Sequence, residues 1–291
     1  MGLLDEVRTS CAEIAGRARY VRIDLGRTGS IEPGRPPRLD PEHHFVEGAR
    51  DRVAAYILTL DTVNFGSGWF PTLRKRPAHS GYQTIARALT ERFRRDGPWS
   101  AQELAATQAP EIARVLGQEP EHELMELYAI ALRDLGRWLG DRTPLQAVEQ
   151  ANGSAERLLT QLAAGMPLFD DRGFWKRAQI CTNDLALAGV ANFGDLDRLT
   201  IFADNVVPHV LRVDGVLSYE PELAARIDSA QLIEAGSPEE REIRACAVHA
   251  CELIAAELRV PPRVLDSWLW DRGRDPRYKA IPRHRTRTVY Y

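Results

Sequence analysis

Asp204 stands in the run Thr200-Ile201-Phe202-Ala203-Asp204-Asn205-Val206-Val207-Pro208, one carboxylate among apolar side chains with a proline close behind it. If Ile201, Phe202, Val206 and Val207 form the core of a helix or strand, that carboxylate is poorly solvated, its ionised form is costly and its pKa rises. A reacting residue has these properties. The same aspartate could instead cap a helix that ends before Pro208, or pair with an arginine, and this stretch alone does not choose.

A second group lies in Leu60-Asp61-Thr62-Val63-Asn64-Phe65-Gly66-Ser67-Gly68-Trp69-Phe70-Pro71, where an acid, an amide, glycines and aromatics fall close together. That mixture suits a loop that approaches a flat ligand, and it equally suits aromatics plugging a core beside a tight turn. Ser67 between glycines is no nucleophile elbow, because Phe65 and Trp69 occupy the positions where that motif requires glycine. A third group is Val264-Leu265-Asp266-Ser267-Trp268-Leu269-Trp270-Asp271, in which helical spacing puts Asp266 and Trp270 one turn apart with Asp271 beside them. Two acids and an aromatic would then meet on one patch, unless Asp271 pairs with Arg272 or Arg274 in solvent.

Metal and nucleotide-cofactor chemistry find no such support. His43 and His44 are neighbours whose side chains point apart, and the chain has no HExxH or CxxC partner for them. Cys246, His249 and Cys251 read as packing on a helix, and no GxGxxG or P-loop is present. From these residues neither a zinc site nor a nucleotide cofactor is expected. Acids beside aromatics suit one task in particular: gripping a flat base while a carboxylate stabilises positive charge developing on the attached sugar.

The elements that must position these residues are helical almost throughout. With 291 residues, 44% hydrophobic and 27% charged, the chain can bury a core without disulfides, and its four cysteines read as reduced core thiols of a cytoplasmic protein. No apolar run is long enough to span a bilayer, and the amino end reads as an amphipathic helix rather than a signal peptide. Leu3, Leu4, Val7, Cys11 and Ile14 recur at helical spacing, followed by a loop rich in glycine and proline from Gly26 to Pro41. Helices are predicted over Val46 to Leu60, Thr84 to Arg95, Ala101 to Thr107, Ala109 to Gly117, Glu121 to Leu139, Val148 to Gly165, from Phe174 onward, Pro221 to Ile227 and Glu239 to Leu258. In Glu121 to Leu139 the buried side is read as Leu124, Leu127, Ile130, Leu132 and Leu135. Asp214-Gly215 between apolar residues is a hairpin signal, but a lone hairpin among helices would be poorly supported, so helix, glycine turn, helix is the reading there. The fold class is all-α, one unit over residues 1–291, with room for two helical lobes around a central cleft.

In order along the chain, Leu60-Asp61-Thr62-Val63-Asn64-Phe65, Phe174-Trp175-Lys176-Arg177-Ala178-Gln179, Leu199 to Asp204 through Pro208, Leu269-Trp270-Asp271 and Ile281-Pro282-Arg283-His284-Arg285-Thr286-Arg287 resemble the queuosine 5′-phosphate N-glycosylase/hydrolase family, the queuosine salvage proteins. The resemblance covers most of the chain, with Gly66-Ser67-Gly68-Trp69 departing from the small-aromatic-Trp version of eukaryotic members. It implies a multi-helix fold resembling helix-hairpin-helix DNA glycosylases, and hydrolysis of queuosine 5′-monophosphate to queuine and ribose 5-phosphate without cofactor. Asp204 takes the role of nucleophile or transition-state stabiliser. Phe202, Asp266, Ser267, Trp270, Asp271, Asn64 and one of His43 and His44 are implied in binding queuine. For the 5′-phosphate, which needs fixed cationic donors, Lys176, Arg177, Arg285 and Arg287 are the candidates.

Two other readings compete. A DNA or RNA base glycosylase predicts a broad basic face, whereas this chain has a net charge of -3 and a basic stripe only in its last stretch, so no direct nucleic-acid binding is expected. A non-catalytic queuine-binding protein would use the same pocket residues but would not depend on Asp204 for turnover.

Overall fold

The structure is a computed structural model and describes residues 2–291. It contains fourteen α-helices and one small sheet among those residues, the all-α class that the spacing of apolar residues predicts. None of the described helices is long and apolar enough to cross a membrane. The chain divides into two compact units: the first runs up to Pro37 and takes in Arg172–Lys176 and Asp197–Thr288, the second takes in Arg38–Asp171, Arg177–Leu196 and Val289–Tyr291.

The first unit is built around the helix Pro238–Leu258, whose residues from Glu242 to Val248 are all buried. Against it pack Leu3–Gly16, Val207–Val213 and Pro262–Arg272. The helix-turn-helix reading around Asp214-Gly215 is corrected here. Gly215, at φ 80°, turns the chain out of Val207–Val213 into a strand, Leu217–Tyr219, which pairs antiparallel with Val21–Ile23, Val21 opposite Tyr219. Two strands are marginal alone. They persist because Glu242 accepts hydrogen bonds from the backbone N–H groups of Arg19, Tyr20 and Val21 at 2.9, 2.6 and 3.2 Å, fixing the first strand to the central helix.

The second unit surrounds Arg50–Thr62, in which every residue from Val53 to Thr62 is buried. Gly81–Asp96, Glu123–Leu139 and Pro144–Glu149 pack on it. His43 and His44 lie in the turn before this helix, which starts later than the sequence suggests. Caps set several of the helix starts: Ser80 with Gln83, Ser100 with Glu103 and Thr143 with Gln146 form reciprocal capping boxes. The expected helix from Val148 to Gly165 is two, Pro144–Glu149 and Ala155–Gly165. Asn152 and Gly153 between them both have positive φ, and Ser154 caps the second. In Glu123–Leu139 the buried face is Leu124, Met125, Tyr128, Ala129, Leu132 and Leu135, with Leu127 and Ile130 only half-buried.

The loop after Arg50–Thr62 closes on the end of the chain. Gly66 N–H donates to the Tyr291 oxygen at 2.9 Å, and Ser67 N–H reaches the same atom at 3.4 Å. Gly66 has φ 95°, and a Cβ there would lie 2.5 Å from Leu124 Cδ1. Gly66→Ala is therefore expected to lower unfolding stability by about 1–3 kcal/mol. Gly16→Ala, where a Cβ meets nothing within 4 Å, should cost nothing measurable. Urea unfolding midpoints of the two variants check both statements, and equal midpoints would contradict the packing described.

Candidate functional site

The segment that carries Asp204 is neither helix nor strand. Leu199 to Ala203 runs buried in irregular backbone, the chain bends at Asp204 to Val206, and a helix begins at Val207. This corrects the expected regular element, and Pro208 proves to open a helix rather than to close one. Asp204 Oδ1 accepts from the N–H groups of Val206 and Val207 at 2.7 and 3.2 Å, so the side chain also holds the amides at the start of that helix. Its Oδ2 makes no hydrogen bond among the described residues, and the side chain is half-buried.

The backbone on either side is held by side chains from two helices. Phe202 N–H donates to Asp266 Oδ1 at 2.8 Å, and the Ala203 carbonyl accepts from Arg244 Nε at 3.0 Å. Asn205 Nδ2 reaches the His284 carbonyl at 3.5 Å. Phe202, Asp266 and Arg244 are all buried, at 5%, 6% and 2% exposure. Arg244 was not singled out from sequence. It follows Glu240-Arg241-Glu242, where a further arginine reads as part of a solvated helix start.

On Pro262–Arg272 the expected convergence of Asp266, Trp270 and Asp271 is only partial. Five positions on a helix separate two side chains by about 140°. Accordingly Asp266 is buried against the Asp204 segment, Trp270 and Ser267 are half-buried, and Asp271 is exposed with Arg274 at 3.6 Å. Arg274 also lies 5.6 Å from the centre of the Trp270 ring.

The last stretch of the first unit is tied down. Ile233 N–H donates to the Arg285 carbonyl at 2.8 Å, and the Arg285 guanidinium reaches the Ala230 carbonyl at 2.5 Å. Arg287 is exposed. Burial lowers the pKa of Arg283, an effect that the charge of Asp204 opposes. His284 is pushed down to about 3, first by burial and then by Arg283, His209, Arg244 and Arg212. His209 is lowered too, by burial, and its Nε2 faces the Tyr278 carbonyl at 2.8 Å, so Nε2 carries the proton. Lys176 is 5% exposed and opens the helix Lys176–Leu187, directly after Trp175 in a left-handed conformation at φ 45°.

The remaining nominated residues, His43, His44, Asn64 and Arg177, lie in the second unit. His44 Nδ1 is 2.9 Å from the Asp40 carbonyl and therefore carries the proton, leaving Nε2 to accept from Tyr82 O–H at 2.9 Å. Burial lowers its pKa and favours this neutral ring. His43 Nδ1 is buried with no hydrogen-bond partner among the described residues, and its Nε2 lies 3.4 Å from Gln83 Nε2. Asp40, Glu42 and His43 bring metal-ligand atoms within 4.8 Å of one another, but both acids are exposed, and Glu42 lies 3.3 Å from the Arg87 guanidinium. Asn64 Nδ2 donates to Asp61 Oδ1 at 3.1 Å.

Arg177 belongs to the core. At 1% exposure it lies 4.6 Å from the Phe65 ring centre and 4.5 Å from that of Phe169. It donates to the Thr62 carbonyl at 2.6 Å and to that of Leu168, and burial pulls its pKa down to about 9. Phe65 also packs edge-on against Tyr128, and Trp69 Nε1–H donates to Glu123 at 2.7 Å. Phe65 and Trp69 of the aromatic loop thus pack within the second unit, as the plainer of the loop's two readings expects.

The profile of the queuosine salvage protein family matches residues 43–291. The chain belongs to this family. A queuosine 5′-phosphate N-glycosylase/hydrolase of Sphaerobacter thermophilus is 34% identical over 98% of this chain and 97% of its own length. The one of Mus musculus is 27% identical over 84% of this chain and 83% of its own. That of Dictyostelium discoideum is 40% identical over 40% of each. Most of the residues nominated from the sequence, Phe202, Asp204, Asp266, Ser267, Trp270 and Asp271 with Lys176, Arg285 and Arg287, lie in the first unit.

The buried histidine beside Asn205 makes this region acid-sensitive. A histidine whose folded pKa is depressed binds its proton more readily once unfolded. The stability it contributes is complete above the unfolded value of about 6.5 and is lost as pH falls toward about 3. Between pH 6.5 and 5 the chain is expected to lose about 1.5 kcal/mol more than a His284→Asn variant does, from this group alone. Urea titrations at the two pH values measure it, and parallel losses in both proteins would refute the assignment.

Proposed function

We propose that the chain hydrolyses the N-glycosidic bond of queuosine 5′-monophosphate, adding water and releasing queuine and ribose 5-phosphate. The relatives that match 98% and 84% of its length carry that activity in their names. The observation that carries the catalytic assignment is the state of Asp204, a half-buried carboxylate with Oδ1 fixed by two backbone amides and Oδ2 left without a protein hydrogen bond among the described residues. A carboxylate held in that way can face the anomeric carbon without reorganising as positive charge develops on the sugar. This matters more for a 7-deazaguanine than for a purine. The base lacks the ring nitrogen at position 7 that purine glycosidases protonate, so stabilising the oxocarbenium ion bears more of the barrier.

Queuine carries a secondary ammonium and a cyclopentene diol, which carboxylates recognise by charge-assisted hydrogen bonds. Asp271, exposed and paired only loosely with Arg274, and Asp266 are the acids assigned to it, with Phe202, Ser267 and Trp270 from the same unit. In the second unit, Asn64 and one of His43 and His44 are the candidates for contacting queuine, and His43 is the one of the two with a ring nitrogen unpaired among the described residues. For the 5′-phosphate the candidates are Lys176, Arg285, which also donates to the Ala230 carbonyl, and Arg287, whereas Arg177 is committed to two carbonyls. A free nucleotide is preferred over a nucleic acid because a chain of net charge -3 lacks the basic excess that a polyanion requires. A cytoplasmic setting fits four free, buried cysteines.

Incubation with queuosine 5′-monophosphate, followed by mass spectrometry of the released base, tests the reading, with the dephosphorylated nucleoside as comparison. Asp204→Asn keeps an oxygen to accept from those two amides, so the fold should hold while turnover falls by about 10³-fold or more. Undiminished queuine release by that variant would instead favour catalysis elsewhere, and binding without release by the unaltered chain would favour a carrier.

A further inference from the structure

Arg244 is placed where a charged side chain is costly, and it is placed there with several partners. It lies on the helix Pro238–Leu258 at 2% exposure, and its guanidinium stacks 3.9 Å from the centre of the Phe174 ring. Glu240, one turn earlier and 3% exposed, is 3.5 Å away and balances the charge. The Nε–H donates to the Ala203 carbonyl at 3.0 Å.

That carbonyl belongs to the peptide plane that ends at the Cα of Asp204. Because the peptide is planar, holding its oxygen fixes the plane from which the Asp204 Cα–Cβ bond projects. Asp266 holds the Phe202 N–H from another helix, and Val206 and Val207 hold Oδ1 from the far side. Of these contacts, the one from Arg244 is made to the peptide unit immediately before the aspartate. A planar guanidinium can stack, pair and donate at once, whereas a lysine ammonium has no face to lay on Phe174.

On the reading that Asp204 stabilises the departing sugar, we propose that Arg244 is a positioning residue, aiming the Asp204 carboxylate through the Ala203 carbonyl. Its effect then passes entirely through Asp204. A buried arginine that merely holds the fold together would instead lower stability and activity whether or not Asp204 is present.

The test compares Arg244→Met and Arg244→Lys with the unaltered chain, and Arg244→Met with the same change in an Asp204→Asn background. Substrate is queuosine 5′-monophosphate, followed by single-turnover mass spectrometry with excess enzyme so that slow variants are still read. Arg244→Met is expected to lower kcat by about 10²-fold, the scale of a misplaced catalytic group, with KM changed by less than about threefold. Arg244→Lys, which keeps a donor, should recover about tenfold of that loss. In the Asp204→Asn background the same Met substitution should cost less than about twofold, because effects that act through one group do not add.

An undiminished loss in that background, or a folded Arg244→Met protein with kcat within about threefold of the unaltered chain, would overturn the proposal. If Arg244→Met does not fold, Arg244→Lys carries the same double comparison, and an effect independent of Asp204 again decides against. An unaltered chain that releases no queuine overturns the functional reading itself, an outcome distinct from activity that is indifferent to Arg244.

Discussion

A buried segment without regular secondary structure must find partners for its peptide groups one at a time, and in this protein that constraint governs the stretch from Leu199 to Val206. Backbone N–H and C=O groups removed from water are nearly always paired, and no ladder is available to pair them here. Two ionisable side chains from neighbouring helices fill the need: the Asp266 carboxylate takes the Phe202 N–H and the Arg244 guanidinium gives to the Ala203 carbonyl. Asp204 then closes the bend by binding the first amides of the following helix. Irregular backbone is what lets a carboxylate keep one oxygen engaged and the other unengaged. A regular helix or strand would have satisfied its own amides and left the side chain to solvent or to core.

The cost of this arrangement is visible in the charges it buries. Arg244 with Glu240 and Asp266 are each less than 7% exposed, and His284 beside them is held neutral over the whole physiological range. A buried pair is weak evidence for net stability, since desolvation offsets much of its attraction. Its value here is geometric. The second unit shows the same principle with a different purpose: Arg177, sealed between Phe65 and Phe169, satisfies carbonyls of Thr62 and Leu168 and so joins the end of one helix to the loop before another.

Much of the helical architecture was legible because apolar residues at a spacing of three and four announce one buried face, as Leu4, Val7 and Cys11 do. Legibility failed where the face is not one-sided or where pairing is remote. Arg50–Thr62 is buried all round over its last turns, so its start could not be read from alternation. Leu217–Tyr219 becomes a strand only because Val21–Ile23, nearly two hundred positions earlier, offers an edge and Glu242 steadies it. At the candidate site, Asp204 stood out as an acid in an apolar run. Arg244 and the buried state of Arg177 did not, because an arginine in a charged or aromatic stretch has the same letters whether its guanidinium faces water or two carbonyls.

By itself, then, the sequence determined the helical class and the family, since these rest on residue types and on spacings of a few positions. Only the tertiary structure decided which oxygen of Asp204 is engaged, that Asp266 faces the backbone of the Asp204 segment while Asp271 faces solvent, and that Arg177 is spent on the core. The physical reason is range. Periodicity is written into neighbouring residues, whereas burial, hydrogen-bond partners and the pKa values that follow from them are set by groups that only folding brings within a few ångströms.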